Sequence, residues 1–443
     1  MNLFERASGA ASAETLFSDQ TLIAAMVRFE SELALAQAQL NLIPADAAGA
    51  IHQACNAFTG NPAAMAEAAT LAGTLAVPLV AALRAQVATI NPDAARWLHH
   101  GSTSQDVLDT ALVLCTRAAL EALDDEIGSA LQHAAALARQ HRATPMLART
   151  LLQAAGITTF GYKAALWHHA LQRHRSRLQT AARDGLCVSL GGALGNLAVY
   201  GESGEALRQT LAERLRLRDP GHCWHTHRQD WLALASEAAL LCATLSKIAG
   251  DIALLAQTEV AEVREAHVEG RGASSAMPHK RNPVLTLQVL SLTQGAPQRF
   301  ATLLAAQGQE HERALGGWQS EQAHWPGLFR TAVAATRTLS ALLASVEVDT
   351  GRCAANIAAL QGVTFAEAVA ESLSGALGKP AAQSLVAELC QRALREGTPL
   401  RDLLSERLST EPRWTADLGA LFNVERAAGA SSRQVTMLLG KPH

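Results

Sequence analysis

A run of chemically active side chains lies at residues 272–283, which read Gly-Ala-Ser-Ser-Ala-Met-Pro-His-Lys-Arg-Asn-Pro. The hydroxyls of Ser274 and Ser275, the amine of Lys280 and the amide of Asn282 fall between a glycine and a proline, with apolar helical sequence on both sides. Ordering a polar loop costs conformational entropy, and loops held by rigid elements commonly carry binding and catalysis. The segment therefore predicts a binding or catalytic loop, with a plain surface turn as the alternative.

A second group of polar residues spans His99–Asp106, directly before a long stretch of helical periodicity. Hydroxyl side chains at the start of a helix cap its first N–H groups and leave others free for an anion. Thr103 and Ser104 hold that position, and the imidazole of His99 lies just ahead of them. The segment predicts either an anion-binding helix start or a simple cap.

Two further segments carry weaker signals. Thr150 and Gln153 belong to residues 149–153, which precede a predicted helix. Arg313 ends the sequence Gln-Glu-His-Glu-Arg at 309–313. Its planar guanidinium suits either a carboxylate clamp or an ion pair on a helix surface. Neither segment decides a function by itself.

The seven cysteines form no recognisable disulfide framework or metal site. Their number is odd and they are widely scattered, which is typical of a protein in the reducing cytoplasm. Cys223, His225 and His227 form a Cys-x-His-x-His group, but this spacing is tighter than in common structural zinc sites and no partner pair follows. The sequence therefore predicts a cytoplasmic protein without a metal centre.

The composition favours helices and excludes some classes of partner. Aromatic residues make up 4% of the chain, and strands draw on aromatic and β-branched residues. The net charge of −3 argues against a general nucleic-acid binder, which usually carries a basic excess. The first residues lack the pattern of a secretion signal, and the apolar stretch near 71–83 contains Pro78 and is too short to span a membrane. We therefore expect neither nucleic acid nor a membrane as a partner.

Long periodic helices are expected to position these segments. In the clearest, about Asp230–Ala266, every seventh residue from Leu234 to Leu255 is apolar and a second apolar series lies between them. This pattern is typical of a bundle helix, which would be roughly 55 Å long. Others are predicted over about Asp106–His141 and Thr158–Ala182. An apolar helix of that length needs neighbours on several sides, which indicates an elongated bundle and an oligomer.

Helix breakers divide the chain into three predicted helical domains. Prolines interrupt short helices in residues 1–103, and the long helices lie in residues 104–348. Helices shorten again in residues 349–443, where Gly362 and Gly378 are breakers. The predicted fold class is all-α.

Together these segments resemble the fumarase/aspartase superfamily over essentially the whole chain. Its signature, Gly-Ser-x-x-Met-x-x-Lys-x-Asn, is matched from Ala273 to Asn282 except at the first position, where alanine replaces glycine. The Thr-Ser-x-Asp segment of the superfamily falls on Thr103 to Asp106. Members cleave or form a bond β to a carboxylate through a carbanion-like intermediate. The resemblance implies a three-domain all-α fold with a central bundle of long helices.

The resemblance also implies the roles of individual residues. Ser274 would exchange the proton at carbon, while Lys280 and Asn282 would hold the enolate-like carboxylate. The residues expected to contact a small polycarboxylate substrate are His99, Thr103, Ser104, Thr150, Gln153, Ser275, Met277 and Arg313. Each active site would combine segments from three subunits of a homotetramer, with no metal or organic cofactor. Loop 266–282 would close over the substrate, with Gly270 and Gly272 as hinges.

Within the superfamily, the chain is most similar to bacterial cycloisomerases, in which a carboxylate adds to an alkene carbon of the same molecule or leaves it. The supporting stretches include Trp224-His225-Thr226 and Glu-His-Glu-Arg at 310–313. Adenylosuccinate lyases share the sequence Met-Pro-His-Lys-Arg-Asn-Pro and are the alternative. A more distant alternative is a non-enzymatic assembly protein, such as the lens crystallins of this superfamily.

Leu151 favours the cycloisomerases. Lyases of the superfamily generally carry a histidine after the threonine that corresponds to Thr150, and that histidine handles the proton of the leaving group. Leu151 cannot transfer a proton. An amine leaving group needs that proton, whereas a carboxylate, with a pKa of about 4, departs as a stable anion. His99 or His100 remains able to replace the missing histidine.

Overall fold

The structure, a computed structural model, describes residue 3 and residues 10–273, 276–410 and 417–440. These residues are mainly α-helical, which confirms the predicted class. The helices are α1 (Asp19–Gln39), α2 (Ala45–Asn56), α3 (Pro62–Ala72), α4 (Ala76–Ile90), α5 (Ser104–Gln140), α6 (Phe160–Gly185), α7 (Gly204–Leu215), α8 (Gln229–Ala256), α9 (Val284–Thr293), α10 (Ala296–Ala305), α11 (Gly317–Ser345), α12 (Thr350–Ala358), α13 (Ala366–Leu377), α14 (Lys379–Glu396), α15 (Leu400–Leu408), α16 (Leu418–Leu421) and α17 (Val424–Leu439). Short 3-10 helices lie at Ala10–Phe17, Ala94–Trp97, Ala198–Ser203 and Val363–Phe365.

The long helices begin close to where the apolar repeats predict. In α8 the apolar series from Leu234 to Leu255 is buried. The predicted end of this helix was wrong, because α8 stops at Ala256 and is roughly 42 Å long rather than 55 Å. The chain turns directly after it: Ala261 adopts a φ of +51°, and the N–H of Glu262 donates to the carbonyl of Leu255.

By length and composition, α8 is also apolar enough to cross a membrane, since an 18-residue window within it has a mean hydropathy of 1.7. Helix α12 and the segment Val363–Leu377, taken together, are also long and apolar enough, although the chain bends by 82° between them. The core helix of a globular protein has the same composition. The side chains of Leu241 and Leu245 in α8 are fully buried in protein.

Two small antiparallel sheets accompany the helices, and the composition does not predict them. Strand β1 (Pro145–Thr150) pairs with β2 (Gln153–Thr159), and β3 (Val263–Glu265) pairs with β4 (Val346–Val348). The first sheet is a hairpin in which Thr150 lies opposite Gln153. Both predicted site residues of this segment are therefore at the end of a hairpin.

The chain packs into two units, each made of three segments. The first comprises Met1–Ile127, Arg173–Ser246 and Gln288–Thr338. Its core joins α1, α2 and α4 to the first turns of α5 and to α7. The second comprises Gly128–Gln172, Lys247–Leu287 and Leu339–His443, and a core within it is formed by α13, α14 and α15. The division into three domains stays a prediction.

Candidate functional site

The turn before α5 belongs to the first unit and begins with a left-handed residue. His99 adopts a φ of +62° and Gly101 one of +69°. A Cβ at Gly101 would lie 2.5 Å from the ring of Tyr200, so both conformation and space require glycine there. The hydroxyl of Tyr200 donates to the carbonyl of His100 at 2.6 Å. The turn is thus fixed in a conformation that most sequences avoid.

Thr103 is the cap residue of α5, but its hydroxyl is used elsewhere. The carboxylate of Asp106, three residues on, accepts from the N–H of Thr103 at 3.0 Å, as the acidic residue of a capping box does. The Oγ1 of Thr103 accepts instead from Nη1 of Arg313 at 2.8 Å. Ser104 is half-buried and begins the helix. The helix start and Arg313, predicted separately, are in direct contact.

Arg313 is held by neutral acceptors rather than by an ion pair. Besides Thr103, its Nη2 donates to the carbonyls of Ala193 at 3.1 Å and Gly192 at 3.4 Å. Among the described residues, no carboxylate lies within ion-pair distance of this guanidinium, and its buried Nε–H has no acceptor. Arg313 also lies outside the helices, in the segment between α10 and α11. This geometry favours a carboxylate clamp over a helix-surface ion pair.

Asp106 connects the helix start to two other segments of the first unit. This fully buried carboxylate accepts from the N–H groups of Gly191 at 2.8 Å and Gly192 at 3.0 Å, and from Nε2 of His225 at 2.7 Å. Burial disfavours the charged imidazole, but the neighbouring side chains of Asp106 and Cys223 together outweigh this effect and raise the pKa of His225 to about 10.

His99 has a carboxylate partner of its own. Its Nδ1 lies 2.6 Å from Oε1 of Glu30, a buried residue of α1. Burial lowers the pKa of His99, but the negative charge and hydrogen bond of Glu30, together with the charge of Asp106, outweigh this effect and the pKa lies above its usual value. Among the predicted site residues of the first unit, His99 is thus held by a carboxylate and Arg313 by neutral acceptors.

The hairpin of the second unit presents its predicted site residues to solvent. Thr150 and Gln153 are exposed, and Leu151 between them is 96% exposed. The base of the hairpin is anchored, because Arg149 donates to both oxygens of the buried Glu262 at 2.8 and 2.9 Å. Arg149 is thus structural, while the tip is available to a ligand or a partner.

The signature loop also belongs to the second unit, and its two ends are joined. The carboxylate of Glu265, at the end of β3, accepts from the N–H and the hydroxyl of Thr286, both at 2.9 Å, in the first turn of α9. Asn282 donates to the carbonyl of Gly272 through its N–H at 2.9 Å and its Nδ2 at 3.3 Å. Gly272 adopts a φ of +71°, and a Cβ there would lie 2.4 Å from the carbonyl oxygen of Asn282. The loop is therefore closed at its base.

The reactive part of this loop is exposed or outside the described residues. Lys280 and Met277 are exposed, and the N–H of Lys280 donates to the carbonyl of Met277 at 3.0 Å. Ser274 and Ser275 lie outside the described residues. The next helix, α9, begins at Val284, directly after Pro283.

No group of three or more His, Cys, Asp and Glu side chains is arranged as a metal site in the described ranges. In the Cys-x-His-x-His group, His225 is hydrogen-bonded to Asp106 instead.

Three residues of the site region were not among the predicted site residues: Glu30, Asp106 and His225. A carboxylate within the apolar periodicity of α1 was a usable signal for Glu30. Asp106 stood in the quoted Thr-Ser-x-Asp segment without a role.

Comparison with known proteins gives the family. A family model described as Lyase matches residues 8–295. The chain belongs to this family, within the fumarase/aspartase superfamily. Among its relatives, a 3-carboxy-cis,cis-muconate cycloisomerase of Bradyrhizobium diazoefficiens is 43% identical, over 95% of this chain and 94% of the relative. A nitrosuccinate lyase of Streptomyces davaonensis is 40% identical, over 97% of this chain and 92% of the relative.

The fold is also similar to that of a solved structure. The crystal structure of a 3-carboxy-cis,cis-muconate lactonizing enzyme from Pseudomonas putida superposes with a TM-score of 0.92 at 37% identity. The match covers 99% of this chain and 98% of that one. The expected superfamily and its helical fold are confirmed.

Proposed function

We propose that this lyase-family protein is a 3-carboxy-cis,cis-muconate cycloisomerase, an intramolecular lyase of aromatic-compound breakdown by the β-ketoadipate pathway. The observation that carries the proposal is the near full-length similarity to relatives of that name, at 43% identity in one case. The first unit supports it with a half-buried arginine that has no carboxylate partner among the described residues. A substrate with three carboxylates needs such groups.

The reaction is an isomerisation and needs no second reactant. One carboxylate oxygen of the substrate forms a bond to an alkene carbon of the same molecule. The electron pair of that alkene moves to the carbon α to a second carboxyl group, which becomes enolate-like. A proton delivered to this carbon completes the lactone, and the reverse steps open it. By superfamily resemblance, Ser274 delivers the proton.

Stabilisation of negative charge is the main task of the protein in this scheme. Lys280 and Asn282 hold the enolate-like carboxylate, because preorganised donors at a developing charge lower the barrier most. Arg313 and Thr103 bind a second carboxylate. Binding the flexible diene in a folded conformation prepays part of the entropy of ring closure, which is worth several kcal/mol in favourable cases.

Leu151 argues for a group that leaves or attacks without a proton. A carboxylate meets this condition, whereas the amine released from adenylosuccinate does not. A nitro group that leaves as nitrite also meets it, and a relative named nitrosuccinate lyase is 40% identical. Release of a stable anion from a substituted succinate is therefore the second candidate function.

The assembly proposed with this function is a cytoplasmic homotetramer whose active sites draw segments from three subunits. The exposed hairpin tip and the exposed Lys280 support it, because both are free to meet another chain. The proposed domains are residues 1–103, 104–348 and 349–443.

A direct test follows the ultraviolet absorbance of 3-carboxy-cis,cis-muconate with purified protein, since ring closure consumes the conjugated diene. Parallel incubations contain adenylosuccinate and nitrosuccinate, with release of fumarate as the readout. Loss of diene absorbance without fumarate release from the other two supports the proposal. Ready fumarate release with an inert diene would replace it with a lyase.

A further inference from the structure

The segment from Trp224 to Arg228 is a cluster of side chains that the proposed reaction does not use. Each of four side chains bonds to a different part of the first unit. Their bonds are Trp224 Nε1 to the carbonyl of Val188 at 2.9 Å, His225 Nε2 to Asp106 at 2.7 Å, Thr226 Oγ1 to the carbonyl of His311 at 2.9 Å, and Arg228 Nη1 to Asp109 at 2.8 Å. The segment is therefore a junction rather than a ligand-binding loop.

One end of the junction is immobile. Arg228 is wholly buried and also donates through Nε to Glu321 at 2.7 Å, and its guanidinium lies 4.6 Å from the ring centre of Trp224. Breaking a buried ion pair of this kind is strongly destabilising. The backbone of His225 is held as well, because Nε2 of Gln105 donates to its carbonyl at 2.8 Å. The imidazole of His225 thus projects from a rigid base.

The other end of the junction reaches the carboxylate clamp through Asp106. One oxygen of Asp106, Oδ2, accepts from the N–H groups of both Thr103 and Gly192, while His225 bonds to the other oxygen, Oδ1. These same two residues supply acceptors for Arg313, through the Thr103 hydroxyl and the Gly192 carbonyl. The position of Asp106 therefore fixes both groups that orient the guanidinium. The junction makes a second contact near the clamp, because the hydroxyl of Thr226 donates to the carbonyl of His311, which lies two residues before Arg313.

We propose that His225 is a positioning residue for the clamp of Arg313 and Thr103. It acts through the hydrogen bond from its Nε2 to Asp106, which keeps a buried carboxylate in one rotamer. Without that donor, the buried Oδ1 of Asp106 would keep only the N–H of Gly191 as a partner, and water or another rotamer would compensate at the expense of the N–H groups of Thr103 and Gly192. The clamp would loosen although no residue that touches the ligand had changed.

Two amide substitutions test the hydrogen bond itself. In His225→Gln the side-chain nitrogen falls near the position of Nε2, whereas in His225→Asn it falls near Nδ1 and cannot reach Asp106. The probe is tricarballylate, an unreactive tricarboxylate, with its Kd measured by calorimetry. Because a hydrogen bond to a charged group is lost, His225→Asn should weaken binding about tenfold to a hundredfold, and His225→Gln less than about threefold.

A matched control is available in the same unit. His174 is also buried and bonds to the hydroxyl of Thr244 through Nε2 at 2.8 Å. His174→Gln and His174→Asn should both bind tricarballylate like the wild type. In an Arg313→Met background, His225→Asn should add little further loss, because effects that act through one group are not additive.

The outcomes separate the proposal from its rivals. Equal weakening by His225→Gln and His225→Asn, no weakening by either, or full additivity with Arg313→Met would each overturn it. If His225→Asn does not fold by circular dichroism, Asp106→Asn takes its place, with the same expected loss. A wild type that binds no tricarboxylate and turns over no carboxymuconate would also overturn it.

The inference rests on the proposed function only for the chemistry of the ligand. A wild type that binds tricarballylate but leaves the diene unchanged would refute the cycloisomerase, while the comparison of His225→Gln with His225→Asn would still decide the role of His225. A wild type that consumes the diene, with both variants unaffected in KM and Kd, would refute the positioning role and leave the cycloisomerase standing.

Discussion

Replacing Arg313 by methionine tests whether this side chain binds a carboxylate or only supports the fold. In the first unit its guanidinium donates to Thr103 and to the carbonyl of Ala193, and its buried Nε–H has no acceptor among the described residues. A carboxylate contact to this group should contribute about 1.5–3 kcal/mol, as hydrogen bonds to charged groups do. We therefore expect kcat/KM for 3-carboxy-cis,cis-muconate to fall roughly tenfold to a hundred-and-fiftyfold.

The fold should tolerate the same change. Within the described residues Arg313 has no carboxylate partner, so its removal strands no buried charge. We expect a melting temperature within a few degrees of the wild type. Arg208→Met is the matched control, because Arg208 is buried and its Nε donates to Asp219 at 2.6 Å. That variant should lose stability and keep kcat/KM.

Both measurements are made on the same preparations, with absorbance of the diene for turnover and circular dichroism for melting. Arg313→Met should have the lower kcat/KM of the two variants, and Arg208→Met should have the lower melting temperature. If Arg313→Met instead melts as early as Arg208→Met while kcat/KM stays within twofold of the wild type, Arg313 is a structural residue and the clamp does not exist.

Three further changes test the rest of the site. Ser274→Ala should leave a folded protein whose turnover drops by on the order of a thousandfold or more, because a central proton-transfer group is lost; near-normal turnover would remove Ser274 from the mechanism. Leu151→His should not raise cycloisomerase activity, and the wild type should release no fumarate from adenylosuccinate, which an end-point fumarate assay checks. His225→Gln removes a group whose pKa rises on folding from 6.5 to about 10. A group whose pKa is higher in the folded state than in the unfolded state stabilises the fold fully below pH 6.5, and this stabilisation is lost as the pH rises through 10. The wild type should therefore exceed the variant in melting temperature by a steady margin below pH 6.5, and a margin that does not shrink towards pH 10 would contradict the charged pair.

Periodicity was sufficient to place the long helices. A seven-residue apolar repeat is a local property of the sequence, and a helix that buries one stripe must follow it. The end of α8 carries no such signal, because the turn at 257–262 contains neither glycine nor proline and places Ala261 at a positive φ. Contacts in this turn come from residues far away in the chain, since the guanidinium of Arg352 donates to the carbonyls of Glu259 and Val260.

The hairpin was missed for a related reason. Its turn is Leu151 and Leu152, both left-handed, at φ values of +50° and +64°. Two-residue turns of this kind usually take Asn-Gly, since other residues strain in that region. Local sequence therefore gives no turn signal, and packing of the strands has overridden it. Likewise, Asp106 and His225 lie far apart in sequence and meet only in the folded chain.

Leu151 and Leu152, at the tip of the hairpin, combine a strained backbone with exposed side chains. A left-handed backbone at two adjacent non-glycine residues costs free energy, and Leu151 places its apolar side chain 96% in solvent. Such features persist where a contact compensates for them, and the superfamily resemblance implies that each active site takes segments from three subunits. We propose that the tip bearing Thr150 and Gln153 meets another subunit. On this proposal the predicted residues need not converge within one chain, because a neighbouring subunit would cover the side chain of Leu151.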